Sequence, residues 1–296
     1  MNPPSHQTAE IDAAWRAANA LPRPEGEATK NTRGRLLCVG GARRAPGALR
    51  LTAEAGLRVG AGKTRMVTVP SVVLMLGVLF PEAATIAVGE DAAGELALDP
   101  AEPLFREMDR TDAVVLGPGM IDRGAAGRAL ERIAAEPRDV PLLLDAAACA
   151  AAGALGDALR SYAGRLVVTP HGQEMAEMCD CGQDEIARDP EGRAADAARR
   201  MGAVVALKGA RTWIAAPDGR MACYAGGGIG LATGGSGDVL AGVIGGLLAR
   251  GAEPFVAACW GVWLHGQAGR NLAAKVGPVG FLAGELLPEL PGLLPR

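Results

Sequence analysis

The sequence predicts an α/β protein, a three-layer domain built on a mostly parallel central sheet. Short apolar runs between residues 36 and 207 are continuous, not alternating, so each reads as a strand covered on both faces. Each run ends near Gly or Pro and leads into an alanine-rich stretch of helical character. After the last of them comes one hairpin signal, and from there the chain reads as helical almost to residue 296.

Residues 1–33 are polar and proline-bearing apart from a helical patch at Ile11, Trp15 and Leu21. They are read as an arm outside the main domain, its patch packing on the body or on a neighbouring subunit. The strand runs then follow at 36–39, 66–69, 85–88, 113–116, 142–144, 166–168 and 204–207. Runs 212–216 and 221–224 flank Pro217-Asp218-Gly219, a turn sequence that predicts a hairpin. Helices are expected over 239–248, 256–272 and 281–287. With no repeat and no low-complexity linker after residue 33, residues 34–296 are counted as one domain.

Composition narrows the function classes. A net charge of −3 with scattered basic residues offers no stripe to neutralise phosphates along a nucleic acid, so no nucleic-acid partner is expected. The apolar run 72–80 is too short to span a bilayer of ~30 Å, and the start of the chain carries no secretion pattern, so a cytoplasmic protein without a membrane partner is expected. The 6 cysteines form no metal-spaced pairs, Cys179-Asp180-Cys181 being too close, and are read as reduced, mostly buried thiols.

In a parallel sheet, ligands bind beyond the carboxyl ends of the strands. Gly40-Gly41, Gly117-Pro118-Gly119, Asp145, Thr169-Pro170-His171 and Lys208-Gly209 each follow an expected strand. Gly60-Ala61-Gly62-Lys63-Thr64 imitates a phosphate loop, but that motif requires glycine at position 57, where Leu57 stands, and a preceding strand. Lys63 is read as solvated, in a helix-to-strand turn. The stronger signal is Gly234-Gly235-Ser236-Gly237-Asp238, which opens directly into an apolar helix. Its backbone N–H groups and the positive helix end can converge on an anion, with Asp238 beside it as a base. The alternative is an ordinary acidic residue in the first turn of a helix that follows a flexible loop. His171 likewise reads as a loop cap or a pocket residue, Glu174 as a first-turn acid or a functional one, and His265 as packing. Lys208, one of only four lysines, stands where a buried strand ends and is read as functional.

Taken in order, Gly40-Gly41, Pro46-Gly47-Ala48, Gly117-Pro118-Gly119, Asp145-Ala146, Thr169-Pro170-His171 with Glu174, Lys208-Gly209-Ala210 with Thr212, and the turn 234–238 resemble the motif set of the ADP- or ATP-dependent NAD(P)H-hydrate dehydratases. Leu264-His265-Gly266 and Gly280-Phe281-Leu282-Ala283 extend the resemblance to nearly all of residues 35–292. It implies a ribokinase-like α/β/α fold, with Ala48, Gly119, His171 and Asp238 facing the hydrated nicotinamide nucleotide. The adenine nucleotide falls to Lys208, Gly209, Ala210, Arg211 and Thr212 and to Gly234, Gly235, Ser236 and Gly237, while Glu174 resembles the acid that organises Mg2+ through water. Asp238 is the implied catalytic base.

The resemblance also implies ADP as co-substrate in preference to ATP, a homo-oligomer (a tetramer) with the Trp15 arm as a candidate contact, and a separate epimerase protein. Departures lie on the substrate side: Ala147 and Ile121 replace an acid and a glycine, and Gly172-Gln173 depart from the usual sequence before Glu174. Two rival functions are a small-molecule kinase resembling hydroxyethylthiazole kinase, which would leave the phosphate attached to its product, and a non-catalytic nucleotide-binding relative.

Overall fold

In the computed structural model, residues 8–23 and 28–295 are described. The strands in chain order are β1 (Ala9–Glu10), β2 (Arg35–Val39), β3 (Lys63–Thr68), β4 (Ala84–Ala87), β5 (Gly89–Glu90), β6 (Leu96–Ala97), β7 (Ala113–Leu116), β8 (Leu142–Leu144), β9 (Leu166–Val168), β10 (Ala203–Leu207), β11 (Thr212–Ala215) and β12 (Met221–Tyr224). The helices are α1 (Ala13–Ala18), α2 (Pro46–Arg58), α3 (Pro70–Leu79), α4 (Glu102–Met108), α5 (Arg123–Ala135), α6 (Ala147–Ala152), α7 (Gly172–Cys179), α8 (Gln183–Arg188), α9 (Pro190–Met201), α10 (Ser236–Ala249), α11 (Pro254–Lys275) and α12 (Ala283–Leu293).

Ten strands join in the order β1-β12-β11-β10-β9-β8-β7-β2-β3-β4. Every neighbouring pair is parallel except the two that involve β11, the return strand of the expected hairpin. The runs read as doubly covered strands are so: every residue of β7, β8, β9 and β10 is buried. Helices α2, α10, α11 and α12 pack on one another in one layer, and α5, α6 and α7 pack in a second. Among the described residues no helix is long and apolar enough to cross a membrane.

Glycine decides how closely the first layer packs. A Cβ on Gly242 of α10 would lie 2.2 Å from the Thr52 carbonyl oxygen of α2, and one on Gly246 would lie 2.8 Å from Gly56 Cα. The buried Thr52 hydroxyl, 3.1 Å from the Ala48 carbonyl and 3.0 Å from that of Asp238, donates across this contact. The N-terminal ends of the two helices are thereby held together.

Three details differ from expectation. Lys63 is the first residue of β3, paired with Arg35, and not part of a turn. The short β5–β6 pair lacks the long apolar run that marks a strand, and it is tied to the loop after β2 by the Arg43 amide donating to the Gly94 carbonyl at 2.8 Å and by the Arg43–Glu90 ion pair. The segment before residue 34 adds β1 beside β12, buries Ile11 and Leu21, and sets Trp15 edge-on to Phe255 at 6.5 Å. Of the two places open to the apolar patch, it occupies the body of its own chain. All six cysteines are free, Cys179 and Cys181 being partly exposed.

Candidate active site

Because β10, β9, β8, β7 and β2 are adjacent and parallel, the loops at their carboxyl ends line up along one edge of the sheet. Lys208, His171, Asp145, Gly119 and Gly41 follow in that order, and the N-terminal end of α10 arrives above them.

Asp145, Lys208 and Glu174 form a compact ionic group. The Asp145 carboxylate is 3% exposed, and its Oδ1 accepts from Lys208 Nζ at 2.9 Å and from Thr169 Oγ1 at 2.7 Å. Glu174 Oε2 lies 3.7 Å from the same ammonium. Burial alone pulls the Lys208 ammonium down, but the facing Asp145 and Glu174 carboxylates outweigh it and hold the group above its ordinary value. A Cβ built on Gly237 would stand 3.6 Å from Lys208 Nζ and 4.0 Å from Asp145 Oδ2, so the first turn of α10 faces this group directly. Gly235, at φ +89°, turns the chain into α10 through a left-handed conformation that suits glycine.

Asp238 sits in that first turn. Burial, and then the neighbouring Asp145 charge, push its carboxyl up to about 7, with Lys208 working in the opposite direction. A carboxylate that takes up a proton near neutral pH is suited to general-base work.

Gly119 and Ala48 meet at the N-terminal end of α2. Gly119, at φ +72°, packs so that an added Cβ would sit 2.5 Å from the Ala45 carbonyl oxygen and 3.1 Å from Ala48 Cβ. Ala48 and Gly119 are thus neighbours, and the Thr52 hydroxyl connects the Ala48 carbonyl to that of Asp238. Ile121 is exposed, its amide donating to the buried Glu95 at 3.3 Å.

His171 is both cap and rim. Its Nδ1 accepts from the Gln173 and Glu174 amides at 3.2 Å while Glu174 accepts from the His171 amide at 2.8 Å, a capping box with histidine in the serine role. Its Nε2 lies 3.3 Å from Glu174 Oε1 on a half-exposed side chain. The structure does not bring Arg211 into the group: its guanidinium lies 3.8 Å from Glu10 of the N-terminal segment and over the Trp213 ring. Gly209 and Ala210 are exposed in the loop before β11, which Thr212 begins.

Two features of the site carry no local sequence signal. Ala146, between β8 and α6, has φ +50° and ψ −133°, a strained conformation for a residue with a Cβ, at the peptide that follows Asp145. His265, read as packing, is buried, but its Nε2 lies 3.0 Å from Ser236 Oγ in the turn itself.

The family model described as NAD(P)H-hydrate dehydratase matches residues 36–291. The chain belongs to the NAD(P)H-hydrate dehydratase family. It is 42% identical to an ADP-dependent (S)-NAD(P)H-hydrate dehydratase of Xanthomonas campestris, over 97% of this chain and 96% of that one. To a bifunctional NAD(P)H-hydrate repair enzyme of Escherichia coli it is 36% identical over 88% of this chain, but that match spans 47% of the longer relative. Among solved structures of the family, an ADP/ATP-dependent NAD(P)H-hydrate dehydratase of Bacillus subtilis, co-crystallized with ATP/Mg2+, superposes with a TM-score of 0.80 at 26% identity, covering 97% of this chain and 98% of that one. The fold is therefore ribokinase-like, as such neighbours are.

Proposed function

We propose that the protein dehydrates the S epimer of NAD(P)H hydrate to NAD(P)H at the expense of ADP, giving AMP and phosphate. The observation that carries this reading is the position of Asp238: a carboxyl raised to about 7, in the first turn of a glycine-opened helix, facing the charges of Asp145, Lys208 and Glu174. Membership of the family supplies the substrate class, and the near full-length relative named as ADP-dependent supports the choice of nucleotide.

Hydroxide is a poor leaving group, and phosphorylation corrects this. Asp238 accepts the proton of the hydrate's ring hydroxyl as that oxygen attacks the terminal phosphorus of ADP, releasing AMP. Amides of residues 234–237, the α10 dipole and Lys208 stabilise the charge gathering on the transferred group. The ring nitrogen's lone pair then expels phosphate, and loss of a proton from the adjacent carbon restores the reduced ring. Ala48, Gly119 and His171 border the nicotinamide side in this reading, while Gly209, Ala210 and Thr212 border the adenosine side.

Magnesium fits the acids present only as a largely hydrated, phosphate-held ion. Among the described residues no three metal-ligating side chains gather, yet Glu174 and Asp145 stand together at the phosphate end. When bound there, the ion neutralises phosphate charge. Glu174 would hold the ion through water, and Lys208 offsets the charge of the two carboxylates that face the nucleotide.

Substituting Asp238→Asn tests the assignment. Loss of a general base typically lowers turnover ~10²–10⁴-fold, so the variant is expected to bind ADP in calorimetry as the parent does while its turnover falls by that amount. Undiminished turnover would remove Asp238 from the role.

A further inference from the structure

The mechanism leaves one buried polar pair unused. Ser236, the first residue of α10 and 4% exposed, meets His265 near the middle of α11, 8% exposed, with 3.0 Å between Oγ and Nε2. Its helical neighbour Leu264 is fully buried, and α10 and α11 otherwise touch through small and apolar groups, a Cβ on Gly261 standing 2.4 Å from Ile244 Cγ1. An apolar side chain of similar volume would fill the His265 position without an imidazole to desolvate. Burial pulls His265 down to about 4, so at neutral pH the ring carries no charge toward a phosphate and acts as a neutral hydrogen-bonding partner.

A serine hydroxyl at a helix start rotates freely unless something engages it. In contact with His265, the Ser236 side chain is held at its Oγ, and the residue next to it is Gly237, whose backbone faces Lys208 and Asp145. We propose that His265 is a positioning residue for the nucleotide: acting through Ser236, it holds the first turn of α10 in the geometry that receives a phosphate. The proposal rests on the reading that turn 234–238 holds the nucleotide's phosphates.

Calorimetric titration with ADP and magnesium, well below the melting temperature of each variant, tests it on the parent, His265→Leu, His265→Gln, Ser236→Ala and the Ser236→Ala/His265→Leu double variant. One neutral hydrogen bond corresponds to about a three- to tenfold effect on affinity. His265→Leu and Ser236→Ala are each expected to weaken ADP binding by that factor, the double variant to be no weaker than the worse single one, and His265→Gln, which keeps an amide near the Nε2 position, to recover most of the loss. In steady-state assays the same variants raise KM for ADP more than they lower kcat. Parental ADP affinity in His265→Leu, or losses that simply multiply in the double variant, would overturn the proposal. Should His265→Leu not fold, Ser236→Ala carries the test: parental affinity there overturns the proposal, and about a three- to tenfold loss with KM for ADP raised more than kcat is lowered supports it. A parent protein that does not bind ADP at all would instead refute the underlying assignment of the turn.

Discussion

At the scale of single residues, Asp238 is tuned by position, and the direction of the tuning can be measured. Its carboxyl stands at about 7 in the folded protein, above the usual carboxylate range, because burial and then Asp145 disfavour the charge. A folded-state value raised in this way means that the neutral form stabilises the fold. That contribution is complete below the ordinary carboxylate value and is lost as pH rises through about 7. Activity needs the ionised form, so kcat/KM is expected to climb with pH through the same region. Asp145→Asn removes one of the charges that lift Asp238 while leaving Lys208 nearby, so the acidic limb of the pH–rate profile should move to lower pH; an unmoved or upward-shifted limb would contradict the electrostatic account. Asp238, residues 234–237 and Lys208 were legible in the sequence because glycine-rich turns and strand ends announce themselves locally. The Asp145–Lys208 and Ser236–His265 contacts were not, since they join residues 63 and 29 positions apart through strand order and helix packing that no local pattern encodes.

At the scale of elements, the site depends on how closely α10 lies on α2. Gly242 has no room for a side chain, a Cβ there meeting the Thr52 carbonyl oxygen at 2.2 Å. Gly242→Ala should force the helices apart, destabilise the protein by ~1–3 kcal/mol and draw Asp238 away from Ala48, raising KM for the hydrate. Thermal melting and steady-state kinetics check both, and unchanged values would show that the contact is not strict. The strands of the sheet were readable to within a few residues because buried parallel strands are continuously apolar. The pair β5–β6 and strand β1 are two residues each, too short to carry periodicity, and their pairing comes from tertiary contacts such as Arg43 with Glu90 and Ile11 with Cys223.

At the scale of the whole molecule, ten strands and their helices place the ionic group, the base and the Ala48–Gly119 contact along one edge of the sheet, on the fold shared with the family. The N-terminal segment contributes to that body: Trp15 meets Phe255, Arg16 lies over the Trp263 ring, and Trp260 donates to the Asn19 carbonyl at 2.6 Å. Its aromatic patch is therefore already engaged, and is a poor candidate for the contact between subunits that the resemblance implies. The account as a whole is tested most directly by product stoichiometry. The protein is incubated with S-epimer NADPH hydrate, ADP and magnesium, and the NADPH, AMP and inorganic phosphate formed are quantified together. The account predicts equal amounts of all three and none without nucleotide; a phosphorylated small molecule accumulating in place of free phosphate, or no NADPH with either ADP or ATP, would contradict it.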